Sequence, residues 1–154
     1  MKDTPSSPAL SASDLLMFVS GYIYRIMRYE ARQQGIRWNA LMILKDLDLF
    51  GACTHRTLAN IEQIRAPTLT VLIQQMHKKG WVKRSAFQGD ARVSLVCITA
   101  KGRKELRRAG RLLKLRMDEE LQLVPERVQR ELERSLAPVI SAFMGVISAR
   151  RAAT

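Results

Sequence analysis

The sequence predicts a mainly helical α+β fold in which a basic two-stranded hairpin follows a pair of helices. The second helix of the pair carries apolar residues at helical spacing, namely Leu69, Leu72, Ile73 and Met76. Lys78-Lys79-Gly80 then provides a helix stop, with cations near the last carbonyls and a glycine that tolerates a positive φ. Residues 81–99 place β-branched and aromatic residues on both sides of a Gln88-Gly89-Asp90 turn, as a hairpin does. This order of elements predicts a winged helix-turn-helix.

Helical segments flank this region on both sides and divide the chain into three parts. Residues 1–12, with two prolines and several serines, form a predicted flexible arm. Residues 36–99 form the predicted winged helix-turn-helix, in which Thr54 is the expected N-cap of the first helix and Pro67 lies in the first turn of the second. Residues 13–34 and 100–150 form a predicted helical dimerisation region.

Two helices are predicted before the helix-turn-helix. The first starts from cap chemistry at Ser11 or Ser13 and ends at Gly35. The second spans residues 38–50. The first carries an apolar stripe at spacings of three and four, which indicates an amphipathic helix with one face to bury.

Two more helices are predicted after the hairpin. Thr99 is the expected cap of a helix that ends near Leu123. Pro125 lies in the first turn of the last helix, and Pro138 is expected to kink it. Because one small winged domain cannot bury the apolar stripes of the first and last helices, these helices are expected to form an interface.

Positive charge is concentrated on the winged element. The chain has 26 Lys and Arg against 14 Asp and Glu, and ten of the basic residues but only two of the acidic ones lie between residues 51 and 104. The expected partner is anionic, double-stranded DNA first and an acidic membrane surface second. The hairpin location disfavours the membrane surface, which attracts charge along one helix face. No stretch is expected to reach the roughly 20 apolar residues of a membrane span, and no signal-peptide core is seen, so a cytoplasmic protein is predicted.

Four local patterns resemble the MarR family of bacterial transcription regulators. They are Leu58-Ala59, T-x-T at Thr68 and Thr70, KKGWVKR from Lys78, and D-x-R-x6-T-x-x-G at Asp90, Arg92, Thr99 and Gly102. The last pattern, in the wing, is the most specific of the four. This chain departs from the family at Val71, where an arginine often follows T-x-T. The resemblance implies a homodimer built from the terminal helices and release from DNA by a small aromatic or phenolic effector.

The second helix of the motif supplies the candidate major-groove surface, which consists of Arg65, Thr68, Thr70, Val71 and Gln74. Glutamine can pair with adenine N6 and N7, and threonine or valine can touch a thymine methyl group, so this composition suits A·T-containing steps. The alternative is that some of these residues only coat a helix face turned to solvent.

The hairpin supplies a second set of predicted DNA contacts. Arg92 is predicted to enter a narrow minor groove, with Asp90 orienting its guanidinium across the turn, and in the resembling family the two residues have these roles. Lys83 and Arg84 are predicted to contact phosphates, which position the protein without reading sequence. The alternative for Arg92 is a solvated hairpin charge.

Aromatic residues of the first two helices are predicted core residues and also form a candidate ligand pocket near the dimer junction: Tyr22, Tyr29 and Trp38. Cys53 and Cys97 are predicted packing residues of a protein from a reduced compartment. With only His55 and His77 in addition, the chain lacks four suitably spaced ligands, so no metal and no cofactor are expected.

No enzymatic function is expected, because the chain contains no G-x-G-x-x-G, P-loop, H-E-x-x-H or G-x-S-x-G motif. The sequence instead predicts a sequence-specific transcriptional regulator, a homodimeric repressor that binds a pseudo-palindromic operator. The alternative is an architectural nucleoid protein, which would use the same charge with little sequence preference.

Overall fold

The computed structural model describes residues 10–87 and 90–152, with the backbone alone at residues 87 and 90–93. The predicted turn residues 88–89 and most of the predicted arm, residues 1–9, lie outside this part of the chain. The described elements are α1 (Ala12–Gln33), α2 (Trp38–Phe50), β1 (Cys53–Thr54), α3 (His55–Glu62), α4 (Ala66–Lys78), β2 (Val82–Phe87), β3 (Asp90–Ile98), α5 (Ala100–Leu121) and α6 (Glu126–Ala152). Six helices and one small sheet confirm the predicted mainly helical fold with a winged helix-turn-helix.

Side-chain caps fix the starts of three helices where the sequence predicts them. Ser11, Thr54 and Thr99 each accept a hydrogen bond from the backbone N–H three residues later, at 3.2, 3.0 and 3.0 Å. At the other end of α4, Gly80 has a φ of +73°, which a residue with a side chain rarely adopts. α5 ends at Leu121, two residues before the predicted end.

The sheet has three strands in the order β1-β3-β2, all antiparallel. The hairpin of β2 and β3 was predicted, and it contains a register irregularity between Ala86 and Phe87. β1 was not predicted. It is only two residues long, and it exists because Cys53 and Thr54 lie opposite Val96 and Leu95, a tertiary pairing that no local periodicity encodes.

The core lies where α2, α3, α4 and the sheet meet. Its fully buried side chains include Leu41, Ile43, Leu44, Leu47, Leu58, Leu69, Ile73, Met76 and Val96. α1 reaches this core with Met27 and Ala31. Tyr22 and Tyr29 of α1 are exposed, so the prediction that they are core residues is wrong. Trp38 packs against the core and is half-buried.

Two outer helices expose large apolar residues. In α1 these include Phe18, which is 75% exposed, and in α6 they include Ile140 and Phe143, which are 58% and 57% exposed. No residue of α6 is buried, and Pro138 lies inside this helix. Among the described residues, α6 alone is long and apolar enough to cross a membrane by length and composition, so the expectation that no stretch reaches this limit is wrong.

Candidate nucleic-acid interface

α4 has one buried face and one exposed face. Leu69, Leu72, Ile73 and Met76 point into the core, while Thr68, Val71 and Gln74 are exposed. This division follows from the helical spacing of the apolar residues, which all fall on one side. The exposed side chains therefore form a continuous surface along the helix, free to contact a partner.

Two other predicted reading residues are placed differently. Arg65 is the N-cap of α4 and is exposed, and its side chain makes no capping hydrogen bond. Thr70 is half-buried, and its hydroxyl donates to the carbonyl oxygen of Ala66 at 3.0 Å. Because that hydroxyl already has a partner within the helix, Thr70 is less available to a base than Thr68.

A left-handed residue sets the angle between α3 and α4. Gln63 has a φ of +53° at the C-terminal end of α3, and the N–H of Ile64 then donates to the carbonyl oxygen of Ala59 at 3.2 Å. This conformation ends α3 and turns the chain sharply. α3 and α4 thus form the helix-turn-helix, with Ile64 half-buried between them.

The two predicted phosphate contacts of β2 lie on opposite faces of the strand. Lys83 and Arg84 are both exposed, and successive side chains of a strand alternate between its faces. Arg84 lies near His55 at the start of α3. Burial first, and then the positive charge of Arg84, lower the pKa of His55 and so favour its neutral form. Lys83 is directed away from this contact.

The second half of the hairpin is described in part. Asp90 and Arg92 lie in β3, with Asp90 opposite Phe87. Their side chains are outside the described part of the chain, and so is the predicted contact between the Asp90 carboxylate and the Arg92 guanidinium. Both residues are nevertheless at the distal end of the hairpin, away from the core that holds Val96.

Thr99 and Gly102 join the hairpin to α5. The Thr99 hydroxyl donates to the carbonyl oxygen of Gly80 at 2.7 Å and accepts from the N–H of Gly102 at 3.0 Å. A Cβ atom on Gly102 would lie 2.1 Å from the carbonyl oxygen of Trp81. The T-x-x-G part of the wing pattern therefore has a structural cause, the direct backbone contact between Trp81, just before β2, and the first turn of α5.

A cleft of about 850 Å³ opens between α1, the start of α2 and α4. This α1–α4 cleft is lined by basic and aromatic side chains that include Arg28, Arg32, Tyr29 and Trp38, and by Thr68 and Val71 of the exposed face of α4. The structure thus brings Tyr29 and Trp38, two of the three predicted pocket residues, to one site that adjoins the candidate reading surface.

Tyr22, the third predicted pocket residue, lies elsewhere. Its hydroxyl donates to a carboxylate oxygen of Glu120 on α5 at 2.9 Å, and this hydrogen bond raises the pKa of Tyr22. Arg116 ion-pairs with both Glu120 and Glu30 of α1, at 2.5 and 3.6 Å. Tyr22 therefore belongs to the polar contacts that hold α1 against α5.

The arginines of the α1–α4 cleft were not among the predicted site residues. Arg25, Arg28 and Arg32 follow one another at spacings of three and four, which places them on one face of α1, and Arg37 joins them from the N-cap of α2. The spacing of these arginines could have predicted that they share one face of α1. It could not predict that this face lies opposite α4, because that depends on tertiary packing.

The cysteines and histidines form no metal site among the described residues, where no group of three or more potential ligands occurs. Cys53 is buried, its thiol lies 3.4 Å from the carbonyl oxygen of Gly51, and burial raises its pKa. Cys97 is half-buried, with its sulfur 3.2 Å from the Ser85 hydroxyl. A raised pKa lowers the thiolate fraction, which is the reactive form of a cysteine.

Known proteins resemble this chain in sequence and in fold. The sequence model of the MarR family matches residues 36–94, the region of the winged helix-turn-helix. The winged helix-turn-helix region of this chain therefore matches the MarR family. An uncharacterized HTH-type transcriptional regulator of Mycobacterium bovis is 29% identical over 138 residues, which cover 90% of this chain and 95% of the relative. The family match and the name of this relative both support a transcriptional regulator of the helix-turn-helix type.

Solved MarR structures show the same fold at low sequence identity. A mutant of MarR from Escherichia coli is 19% identical, with a TM-score of 0.81 over 87% of this chain and 99% of that chain. NadR, solved in complex with 4-hydroxyphenylacetate, is 23% identical, with a TM-score of 0.64 over 88% of this chain and 97% of NadR. At these identities the likeness shows the fold alone.

Proposed function

We propose that this MarR-family regulator is a cytoplasmic homodimeric repressor that binds a pseudo-palindromic operator and is released by a small aromatic effector. The observation that carries the proposal is the exposed face of α4. Thr68, Val71 and Gln74 project from a helix whose opposite face is fully buried, beside a hairpin that carries Lys83 and Arg84. A helix that packs against the core on one face and has cations beside its exposed face is suited to the major groove of DNA.

In the proposed complex, α4 and the hairpin divide the contacts between them. Arg65 and Gln74 hydrogen-bond base edges, and Thr68 and Val71 contact thymine methyl groups. Thr70 supports that surface through the hydrogen bond from its hydroxyl to the carbonyl oxygen of Ala66 within α4. In the hairpin, Arg92 enters the minor groove with Asp90 as its orienting partner, and Lys83 and Arg84 contact phosphates. Sequence is thereby read in two grooves.

Dimerisation is supported by the apolar faces of the outer helices. Phe18 on α1 and Phe143 on α6 are more than half exposed, and such faces on several helices of one chain are unusual unless a partner covers them. A second copy of the chain covers both faces in the proposed dimer. Its two α4 helices then reach half-sites about one helical turn, roughly 34 Å, apart.

The effector part of the proposal is supported by the α1–α4 cleft. Tyr29 and Trp38 supply rings that can pack against an aromatic compound. Thr68 and Val71 of α4 also line the cleft, so a bound compound would contact α4 directly. NadR, which shares the fold, was solved with the aromatic acid 4-hydroxyphenylacetate. A ligand that prefers the DNA-incompetent state by about 2.7 kcal/mol would lower DNA affinity a hundredfold.

A competition binding experiment tests the function. Fluorescently labelled DNA from upstream of the chain's own gene is bound by the full chain and then challenged with unlabelled random DNA. We expect the upstream DNA to be preferred by roughly a thousandfold or more. A preference of only a few-fold, for this DNA and for sites selected from the genome, would identify an architectural DNA-binding protein and refute the repressor.

A further inference from the structure

The α1–α4 cleft holds positive charge that the protein does not neutralise. Arg25, Arg28, Arg32 and Arg37 line it, and among the described residues no carboxylate lines it with them. None of these four arginines forms an ion pair with another described residue, whereas Arg116 on the neighbouring α5 has three carboxylate partners. Like charges on one helix face repel each other, so the cleft favours a ligand that brings several negative charges.

Aromatic rings line the same cleft. Tyr24 and Trp38 meet edge to face with their ring centroids 6.1 Å apart, and the guanidinium of Arg28 lies 5.8 Å from the centroid of the Tyr24 ring. The face of one such ring can stack against a planar ligand ring, and a guanidinium beside it can stack as well as form paired hydrogen bonds to an anion. The cleft combines both kinds of contact at one site.

We propose that the α1–α4 cleft binds a planar aromatic compound that carries at least two negative charges. A compound with one carboxylate would leave most of the four guanidinium groups unpaired, while each further carboxylate or phosphate adds a charge-assisted hydrogen bond. A concave site with aromatic walls suits a small molecule better than the convex backbone of a DNA duplex. This inference rests on the proposed function, since it specifies the effector and its site.

The location of the cleft defines how such a ligand acts. Thr68 and Val71 belong both to the lining of the cleft and to the exposed face of α4 that the proposed complex presents to DNA. A ligand against these residues competes with DNA for the same side chains and places negative charge where the DNA phosphates would approach. Ligand and operator therefore compete, and each raises the apparent Kd of the other.

The charge requirement is tested by calorimetric titration of the full chain with three compounds that share one ring. Benzoate carries one carboxylate, isophthalate two and trimesate three. We expect affinity to rise about tenfold with each added carboxylate, the effect of one charge-assisted contact. Tricarballylate, which has three carboxylates and no ring, should bind at least about tenfold more weakly than trimesate. Equal affinity for benzoate and trimesate, or for tricarballylate and trimesate, would overturn the proposal.

Matched variants locate the site. Arg28→Gln and Arg32→Gln should each weaken trimesate about tenfold and benzoate much less. Arg107→Gln removes an exposed arginine from α5 that does not line the cleft, and it should leave trimesate affinity unchanged. If all three variants weakened trimesate equally, the binding would be a general effect of net charge and the cleft would not be the site.

DNA binding is measured in the same samples, so that the two proposals can fail separately. Because trimesate competes with operator DNA, it should raise the apparent Kd of the protein for that DNA. If operator binding is specific but no aromatic polyanion binds, and Arg28→Gln lowers the salt dependence of DNA binding, the cleft is a phosphate contact and the effector proposal is refuted. If trimesate binds as expected but no DNA sequence is preferred, the repressor is refuted and the cleft assignment stands.

Discussion

Gly102 has no room for a side chain, because a Cβ atom there would lie 2.1 Å from the carbonyl oxygen of Trp81. We expect Gly102→Ala to lower the free energy of unfolding by about 3 kcal/mol, since the clash is with backbone that cannot turn aside. Chemical denaturation of the purified variant measures this. Gly110→Ala is the matched control in the same helix.

Gly110 differs from Gly102 only in its surroundings, because a Cβ there meets no atom within 4 Å among the described residues. Replacing a glycine inside an exposed helix face by alanine stabilises the helix by about 0.5–1 kcal/mol. The two substitutions should therefore have opposite signs. Similar stability of both variants would show that α5 does not contact Trp81 as described.

Asp46 on α2 and Glu62 on α3 form a hydrogen-bonded pair of carboxyl groups, and the second oxygen of Asp46 has no hydrogen-bond partner among the described residues. Burial, the hydrogen bond to Asp46 and its charge raise the pKa of Glu62 from 4.5 to about 8. Burial also raises the pKa of Asp46. At neutral pH Glu62 therefore keeps its proton, and its O–H donates a hydrogen bond to the Asp46 carboxylate.

The raised pKa of Glu62 makes stability depend on pH. Between about pH 4.5 and 8 the folded chain binds more protons than the unfolded chain, so the free energy of unfolding falls as pH rises. Glu62→Gln removes the titrating group and keeps a hydrogen-bond donor. At pH 8.5 the free energy of unfolding of this variant should exceed that of the wild-type chain by about 1 kcal/mol, which raises Tm by roughly 3 °C. At pH 4 the two should be equally stable.

Differential scanning fluorimetry across this pH range compares Glu62→Gln with Glu133→Gln, which changes an exposed carboxylate on α6. Parallel curves for wild type and both variants would contradict the described pair.

The interaction of Asp46 with Glu62 could not be predicted from the sequence, because the two residues are 16 positions apart on different helices and have the pattern of ordinary surface acids. Only the packing of α2 against α3 makes them neighbours.

The hairpin of β2 and β3 is the element on which the two kinds of DNA contact can be separated. Arg92→Ala should weaken binding to the operator by about 1–3 kcal/mol and binding to random DNA much less, because a groove contact depends on sequence. Lys83→Ala should weaken all sequences alike and lower the salt slope by about one. Both variants are measured by fluorescence anisotropy at several salt concentrations.

Arg92→Ala with unchanged operator affinity would remove the hairpin from the proposed reading surface. Ser94→Ala serves as the control on the same strand, since Ser94 is exposed and closer to the core. The operator and random DNA must be compared at the same salt concentration, because phosphate contacts dominate the affinity.

Elements with their own periodicity or cap could be predicted from the sequence, and those that depend on a partner could not. α4 follows from the spacing of Leu69 to Met76, and the start of α5 from Thr99, because both signals are local. β1 depends on pairing with Val96, and the arginines of the α1–α4 cleft depend on where α1 lies relative to α4. The aromatic residues of α1 were wrongly predicted as core, since an exposed apolar face and a buried one have the same spacing in the sequence.

The whole molecule exposes its apolar faces on the two outer helices, and the proposed dimer requires both. Phe18→Glu and Phe143→Glu should each convert the dimer to monomer at micromolar concentration, because a carboxylate would be buried without a partner. Light scattering with size-exclusion chromatography measures the mass. Leu49→Glu adds the same charge at an exposed position of α2 and should remain dimeric.

A wild-type chain that is monomeric at these concentrations would refute the dimer directly. Loss of the dimer in Leu49→Glu as well would mean that added charge, and not the face it occupies, controls assembly. Operator affinity should fall together with the dimer in the two interface variants, since one α4 helix then reads one half-site.

The backbone contact between Gly102 and Trp81 makes α5 a lever arm. With 22 residues the helix is about 33 Å long, and its near end rests against the base of the hairpin without a side chain between them. A tilt of about 5° at that contact would move the far end by about 3 Å, a displacement set by the helix length. In the proposed dimer, a shift of a few ångströms between the two copies at the far end of α5 would turn each hairpin by only a few degrees, so the angle between the two hairpins would depend on how the two copies pack together.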